Sequence, residues 1–318
     1  MQRFKNIMYV CDEKGGESEA FHRAVTLAIN NSAHLKVVAV HEDVPQEMLK
    51  LLDAQKFPDL KEAISRVYRE NLDHVVSDAK NKGLQISTKI HTGKPFIELI
   101  KEVLREKHDL VIMNAATEDG LKEFFFGSDA MHMMRKCPCP VWVIKPKQGR
   151  KFAKILATVE SSLAYDEPDS VKAGLNKKIM EMSSSLARLE GSELHIIHAW
   201  ELYLETMLRN RAGLSQKQID DLSHATRNTH ETMVYELVQK YSPGLPEQQI
   251  HILKGRAGHV IPEVARKRGI ELIVMGTVSR TGIAGFFIGN TAEEILDRVD
   301  CSVLTVKPDG FVSPVKLQ

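Results

Sequence analysis

Apolar residues recur along this chain in two rhythms, short unbroken runs and a spacing of three or four, and the two rhythms alternate. The first run, Ile7-Met8-Tyr9-Val10, lies inside residues 6–12, reads as a strand and closes on an acid, Asp12. Phe21, Val25, Ala28 and Ile29 follow at helical spacing and predict a helix over residues 17–32. A second strand is expected at 35–40, then a long amphipathic helical stretch over 46–80, interrupted near Pro58. A third strand is expected at 85–91. Gly93-Lys94-Pro95 opens the next helix, with proline near the first turn, where a missing N–H loses no hydrogen bond. Strands four and five are expected at 110–113 and 141–144. The second half repeats the order, with strands at 154–159, 193–199, 249–253, 272–275 and 302–306. Alternating β and α elements imply parallel sheets with helices on both faces and right-handed crossovers.

The two halves also match residue by residue. A shift of 162 places lays Gly93 on Gly255, Asp109 on Glu271, Gly127 on Gly289, Cys139 on Cys301 and Lys145-Pro146 on Lys307-Pro308, without a gap. That period is far too long for a solenoid repeat and fits a duplicated domain with its own core. The polar run Lys147-Gln148-Gly149-Arg150 is the expected linker, so the domains are read as 1–147 and 148–318. The fold class is α/β, two tandem domains, each a five-stranded parallel sheet. Such sheets bind ligands outside the carboxyl ends of their strands, where the strand order reverses.

Composition narrows the chemistry. The 318 residues carry 43 Lys and Arg against 42 Asp and Glu, a net charge of +1. This balance gives no overall attraction to nucleic acid or to an anionic membrane, and neither is an expected partner. No apolar run approaches the ~20 residues of a membrane span. The start shows no signal-peptide core and the four cysteines make no disulfide framework, so the cytoplasm is the expected compartment. Cys137-Pro138-Cys139 is spaced too tightly for a usual zinc knuckle, and the histidines are scattered, so no metal site is expected. The chain lacks a Gly-x-x-x-x-Gly-Lys-Ser/Thr loop, a Gly-x-Gly-x-x-Gly after its first strand, and a Gly-x-Ser-x-Gly elbow. No catalytic residue is named.

The stretch after strand four of the second half holds the candidate chemistry. It runs from Gly276 through Thr277, Ser279, Arg280, Gly282 and Gly285 to Gly289, Asn290 and Thr291, where helical patterning resumes. Glycines allow close backbone approach to a ligand, and Asn290 or Thr291 can cap the helix. Amides at a helix start favour an anion such as phosphate, and Arg280 adds positive charge. An ordinary glycine-rich turn before a capped helix fits the same residues equally well.

Spacing and order together resemble the universal stress protein family in its tandem form. The family's nucleotide loop reads Gly, two residues, Gly, nine residues, Gly, then Ser or Thr. The second half keeps that spacing with Gly276, Ser279, Gly289 and Asn290, and departs from it in residue type at Ser279 and Asn290. The resemblance covers nearly the whole chain and implies Rossmann-like domains and an ATP site, with Mg²⁺ as an accompanying ion. It places Glu160, the strand-one acid, near the ribose, and Ala199, at the end of strand two, against the base. Gly276, Ser279, Arg280, Gly289, Asn290 and Thr291 would surround the phosphates.

The corresponding positions of the first half are Asp12, Val40, Asn114, Thr117, Gly127 and Ser128. There Thr117 is β-branched where glycine is expected, Glu118 and Asp119 replace Arg280 and Thr281, and Asp129 follows Ser128. Acids in such a loop repel phosphate, so this domain is expected to bind no ATP and to serve as a structural partner or to hold another ligand. Capping of its own helix is the alternative role for Asp129, and Phe124-Phe125-Phe126 is expected to be core. The resemblance further implies a cytoplasmic, non-enzymatic protein of stress resistance, including resistance to DNA-damaging agents, with slow ATP hydrolysis left open. It also implies fifth strands that pair inside one chain as a pseudo-dimer, with a homodimer as a further possibility. The alternative is an interaction scaffold that binds no nucleotide.

Overall fold

The computed structural model describes residues 3–12, 18–44, 60–81, 83–116, 126–145, 151–160, 171–202, 204–210, 213–277 and 289–317. The chain divides into two compact units, the first built on Met1–Arg150 and the second on Lys151–Gly282 and Phe287–Phe311. In the first unit β1 (Asn6–Val10), α1 (Glu19–Asn31), β2 (His34–His41), α2 (Leu60–Asn81) and β3 (Ile86–Thr92) come in order. They are followed by α3 (Pro95–Glu106), β4 (Leu110–Asn114), α4 (Ser128–Lys136) and β5 (Val141–Ile144). Its strands are parallel and lie in the order β3-β2-β1-β4-β5. Ile7, Met8 and Tyr9 are each at most 1% exposed, and successive strand residues point to opposite faces, so helices cover both.

The second unit repeats the plan with β6 (Lys154–Thr158), α5 (Val171–Glu190), β7 (Glu193–Trp200), α6 (Glu205–Asn210) and α7 (Gln216–Tyr241). It continues with β8 (Ile250–Lys254), α8 (Ala257–Arg268), β9 (Leu272–Gly276), α9 (Asn290–Leu296) and β10 (Ser302–Val306). Its strands lie β8-β7-β6-β9-β10, again parallel. Tyr9 stands between Val37 of β2 and Ile112 of β4, and Ala157 stands between Ile196 of β7 and Val274 of β9. The two residues therefore hold the same place in the two sheets.

The duplication extends to the contacts that anchor each first strand. Asp109 accepts the amides of Lys5 and Asn6 at 2.7 and 3.2 Å, and Glu271 accepts the amide of Ala153. Asn31 accepts the amides of Arg3 and Phe4, as Glu190 accepts that of Phe152 at 2.7 Å. A buried backbone N–H needs such a partner, and the same answer recurs with an acid or an amide.

Some elements differ from the sequence reading. The first helix begins at Glu19 rather than 17, because Ser18 caps it by accepting the Phe21 amide at 3.1 Å. Phe21, Val25 and Ala28 are buried, but Ile29 falls at the edge of that stripe and is 48% exposed. The short helix α6 and the long helix α7 are further elements. A capping box of Ser215 and Gln218 opens α7, a signal readable as Ser-x-x-Gln. The expected helical stretch over 46–59 lies outside the described residues.

Candidate functional site

Each sheet reverses its strand order once, between β1 and β4 in the first unit and between β6 and β9 in the second. Crevices at the carboxyl ends of these pairs are where a ligand fits an open α/β sheet. The predicted strand-one acids stand just past their strands. The ladder runs one residue further in each unit, with the Cys11 amide on Val38 O at 2.9 Å and the Val159 amide on Ile197 O at 3.0 Å. Asp12 and Glu160 follow at once.

The first crevice is spanned by its own side chains. Asn114, the last residue of β4, donates through Nδ2 to Asp12 Oδ2 at 3.1 Å and to the Tyr9 hydroxyl oxygen at 3.4 Å. The Tyr9 hydroxyl lies 2.8 Å from Ser18 Oγ, which carries the chain to the start of α1. Burial pushes the Tyr9 phenol up, against the opposing hydrogen bond of Ser18, so it stays protonated. Burial, helped by the Asp12 charge, likewise pushes the Cys11 thiol up to about 12. Val40 stands half-buried near the end of β2. Gly127 permits a close approach, since a Cβ there would lie 2.6 Å from the Ala116 Cβ. Ser128 opens α4 and is exposed.

Asp129 does not cap its own helix. The cap residue of α4 is Gly127, and Asp129 Oδ1 instead accepts the Phe96 amide at 3.4 Å, in the first turn of the neighbouring helix α3. Phe126 is 5% exposed and belongs to the core. Thr117, Glu118, Asp119, Phe124 and Phe125 lie outside the described residues.

In the second crevice Ala157 replaces Tyr9 and Gly276 replaces Asn114, so the bridging chain has no side chains to form from. Glu160 is positioned through its backbone. The buried Asn176 of α5 accepts the Glu160 amide at 3.0 Å and donates to the Glu160 carbonyl at 2.5 Å. Leu175, its neighbour on α5, lies over Gly276, where a Cβ would come within 2.5 Å of Leu175 Cδ2. Ala199 is half-buried, in register with Leu253 of β8.

The ends of the second-unit loop are tied together. The Gly289 amide donates to Thr277 O at 3.3 Å, and Lys307 Nζ donates to Thr277 Oγ1. Gly289 is the cap residue of α9, with no side-chain cap bond, and Asn290 and Thr291 are already helical and exposed. Neither caps the helix, because the helix starts one residue earlier than that role requires. Ser279 and Arg280 lie outside the described residues.

Asn176, Leu175 and Lys307 were not singled out as site residues by spacing, since each reaches the crevice only through the fold. The same holds for two buried histidine pairs. His198 Nδ1 lies 3.0 Å from the Val159 carbonyl, which can only accept, so Nδ1 carries the proton. His198 Nε2 in turn lies 3.0 Å from His230 Nδ1. His195 Nδ1 and His251 Nε2 are also 3.0 Å apart, with Glu193 Oε1 3.2 Å from His195 Nε2. Burial first, then the nearby His195 and Arg268, push His251 down to about 4. Among the described residues no cluster of three or more His, Cys, Asp or Glu has the arrangement of a metal site. Cys137 and Cys139 are buried, with sulfurs 3.5 Å apart.

The universal stress protein family model matches the chain twice, over residues 3–145 and 163–307. Universal stress protein E of Escherichia coli (strain K12) is 32% identical over 323 residues, an alignment spanning 100% of this chain and 98% of that protein. The protein of the same name from Photorhabdus laumondii is 28% identical, spanning 99% of each chain. A functionally unknown protein from Pseudomonas aeruginosa PAO1, 24% identical, shares the fold with a TM-score of 0.74, covering 98% of this chain and 95% of that one. Two family matches in one chain, and relatives aligned from end to end, agree with the doubled sheet described above: this chain belongs to the universal stress protein family, as a tandem member.

Proposed function

We propose that the second domain, residues 148–318, binds an adenine nucleotide, ATP with Mg²⁺, and that the first, residues 1–147, does not. The observation that carries this reading is the exchange of Tyr9 and Asn114 for Ala157 and Gly276 at equivalent places beside the strand-order reversal. In the first unit the hydrogen-bonded chain Ser18–Tyr9–Asn114–Asp12 links the ends of β1 and β4, which supports the reading that no nucleotide enters there. In the second, the phosphates would lie against Gly289, Asn290 and Thr291 at the start of α9, with Ser279 and Arg280 on the intervening loop, Glu160 by the ribose and Ala199 by the base. Helix-start amides suit a phosphate group. The protein would act in the cytoplasm in stress resistance, including resistance to DNA-damaging agents, as a nucleotide-responsive module rather than an enzyme. Pairing of fifth strands, as pseudo-dimer or homodimer, belongs to the same proposal.

A specific observation favours the second reading, a scaffold without nucleotide. Leu175 already uses the space that Gly276 leaves, so ATP has to displace that side chain. Calorimetric titration of the full chain with ATP and Mg²⁺ separates the two readings. One equivalent is expected to bind, tighter in Leu175→Ala and at least tenfold weaker in Asn290→Asp. The new carboxylate suits the helix start but repels phosphate, so folding is kept while binding falls. Absence of binding in both wild type and Leu175→Ala would leave the scaffold standing.

A further inference from the structure

The shift of 162 places lays α3 on α8 and α4 on α9, start on start, so the corner where each pair of helices packs can be compared residue by residue. Both corners carry two cations at matching places, Lys94 and Lys136 in the first unit, Arg256 and Arg298 in the second. In the second unit Glu294 of α9 bridges them. Arg256 Nη2 lies 3.4 Å from Glu294 Oε2, and Arg298 Nη2 lies 3.3 Å from Glu294 Oε1. His259 Nε2 adds a contact to Oε1 at 3.0 Å. Gly258 makes room for that carboxylate, which a Cβ there would strike.

In the first unit the bridging acid is gone. His132 stands at the place of Glu294, Arg135 at that of Asp297, and Phe96 at that of Gly258. The Phe96 ring is 5% exposed and lies against His132, with ring centres 4.2 Å apart, so it uses the room that the glycine leaves in the other unit. Lys136 Nζ and Lys94 Nζ sit 4.5 and 5.2 Å from the centre of the same ring, as cation–π contacts. Neither lysine pairs with a carboxylate among the described residues. Two acids of these helices are engaged elsewhere: Asp129 Oδ1 accepts the Phe96 amide at 3.4 Å, and Glu98 Oε1 holds Lys101 at 2.9 Å. Burial first, then the charges of Arg135 and Lys94, push the Lys136 ammonium down, as happens to a cation crowded by cations. Burial, then Lys136 and Arg135, push His132 down too, so its ring is uncharged at neutral pH.

We propose that this corner of the first unit, Lys94, Arg135 and Lys136 around Phe96, is a docking surface for an acidic segment of a partner protein. Its carboxylates bridge the two lysines as Glu294 bridges the two arginines from within the second unit. The acid comes from outside, because Phe96 and His132 stand where an internal one would need Gly258 and Glu294. A side-chain carboxylate fits because the duplicated corner shows the matching cations holding one. No side chain of either crevice takes part, so this inference stands apart from the nucleotide reading.

The probe is a fluorescein-labelled hexaglutamate peptide, its binding to the full chain followed by fluorescence anisotropy at low ionic strength. The wild type is expected to bind it. Lys136→Gln is expected to bind about threefold more weakly, the scale of one exposed ion pair. His132→Glu supplies the acid that the second unit already carries and is expected to bind about tenfold more weakly, since it both pairs the lysines and repels the peptide. Arg298→Gln, at the matching place of the second unit, is expected to change nothing, because that arginine is already paired. Thermal melts identify the folded variants, and Lys136→Gln, at a half-exposed position, keeps the fold. A wild type that fails to bind the peptide overturns the inference, as does undiminished binding by folded Lys136→Gln and His132→Glu. A loss in Arg298→Gln as large as that in Lys136→Gln also overturns it, since binding would then belong to basic surface in general. Displacement of the peptide by equimolar inorganic phosphate would show a small-oxyanion site and overturn the protein partner.

Discussion

At the scale of single residues, the two crevices differ by what stands at two places. Tyr9 and Asn114 are hydrogen-bonded to each other at the first, whereas their counterparts Ala157 and Gly276 carry no such groups at the second, where Leu175 of α5 lies against Gly276. Two glycines beside the crevices, Gly127 and Gly276, meet different obstacles. A Cβ on Gly127 would press on the Cβ of Ala116, which is fixed to its backbone, at 2.6 Å. A Cβ on Gly276 would press on the tip of a half-buried leucine, which can rotate. Gly127→Ala is therefore expected to destabilise by about 2 kcal/mol and Gly276→Ala by less than about 1 kcal/mol, in line with overpacking losses. Denaturant unfolding of both variants checks the order. Equal losses would mean that Leu175 is held as firmly as backbone. Adding Leu175→Ala to Gly276→Ala should remove the pressing contact and show non-additivity.

At the scale of elements, buried charge is handled in two ways. On β2, β3 and α3 it is paired: Lys36 Nζ sits 2.5 Å from Glu102 Oε1, and His91 Nε2 lies 2.9 Å from Glu102 Oε2. Burial would raise the Glu102 carboxyl, but Lys36 and then His91 overrule it and hold it below the ordinary carboxylate range. On β7 and β8 charge is avoided, since burial leads the lowering of both His195 and His251. A histidine whose value in the folded protein is lowered binds fewer protons there than in the unfolded chain. Stability from the His195–His251 pair is then fully present above about pH 6.5 and is lost as the pH falls from 6.5 towards about 4. Thermal melts between pH 7.5 and 4.5 should show a steeper fall for the wild type than for His251→Gln. Parallel curves for the two proteins would remove the pair from the acid response.

At the scale of the whole molecule, a duplicated sheet has kept its frame and varied its contents. Asp109 and Glu271 anchor the two first strands alike, while the crevices hold different side chains. Hydrogen exchange of the full chain with ATP and Mg²⁺ is therefore expected to show added protection at residues 154–160, 272–277 and 289–296. None is expected at residues 6–12, 110–114 or 126–136. At a ligand concentration 100 times Kd the second unit should gain about 2.7 kcal/mol of stability. Protection gained in the first unit instead would reverse the assignment of the two crevices.

Much of this was legible in the order of residues. Unbroken runs such as Leu110-Val-Ile-Met113 and Val141-Trp-Val-Ile144 are strands because both faces are covered, and a periodicity that shows this is local. The repeat at 162 places paired Asp109 with Glu271 and Lys145 with Lys307 before any contact was known. Boundaries were less legible, because a cap such as Ser18 acts through one hydrogen bond that periodicity does not record. The helix that receives Asp129 was not legible for a related reason: a carboxylate near two helix starts serves the one that packing brings within reach.

From the sequence alone came the class of fold and the number of domains, since these depend on patterns within a few residues or on comparison of the chain with itself. The tertiary structure alone decided that Asn114 reaches across to Asp12, that Leu175 covers Gly276, and that Lys307 grips Thr277. Each of these joins residues tens of positions or more apart. Which side chain enters a hollow depends on what the neighbouring elements leave open, and that is settled only when they pack.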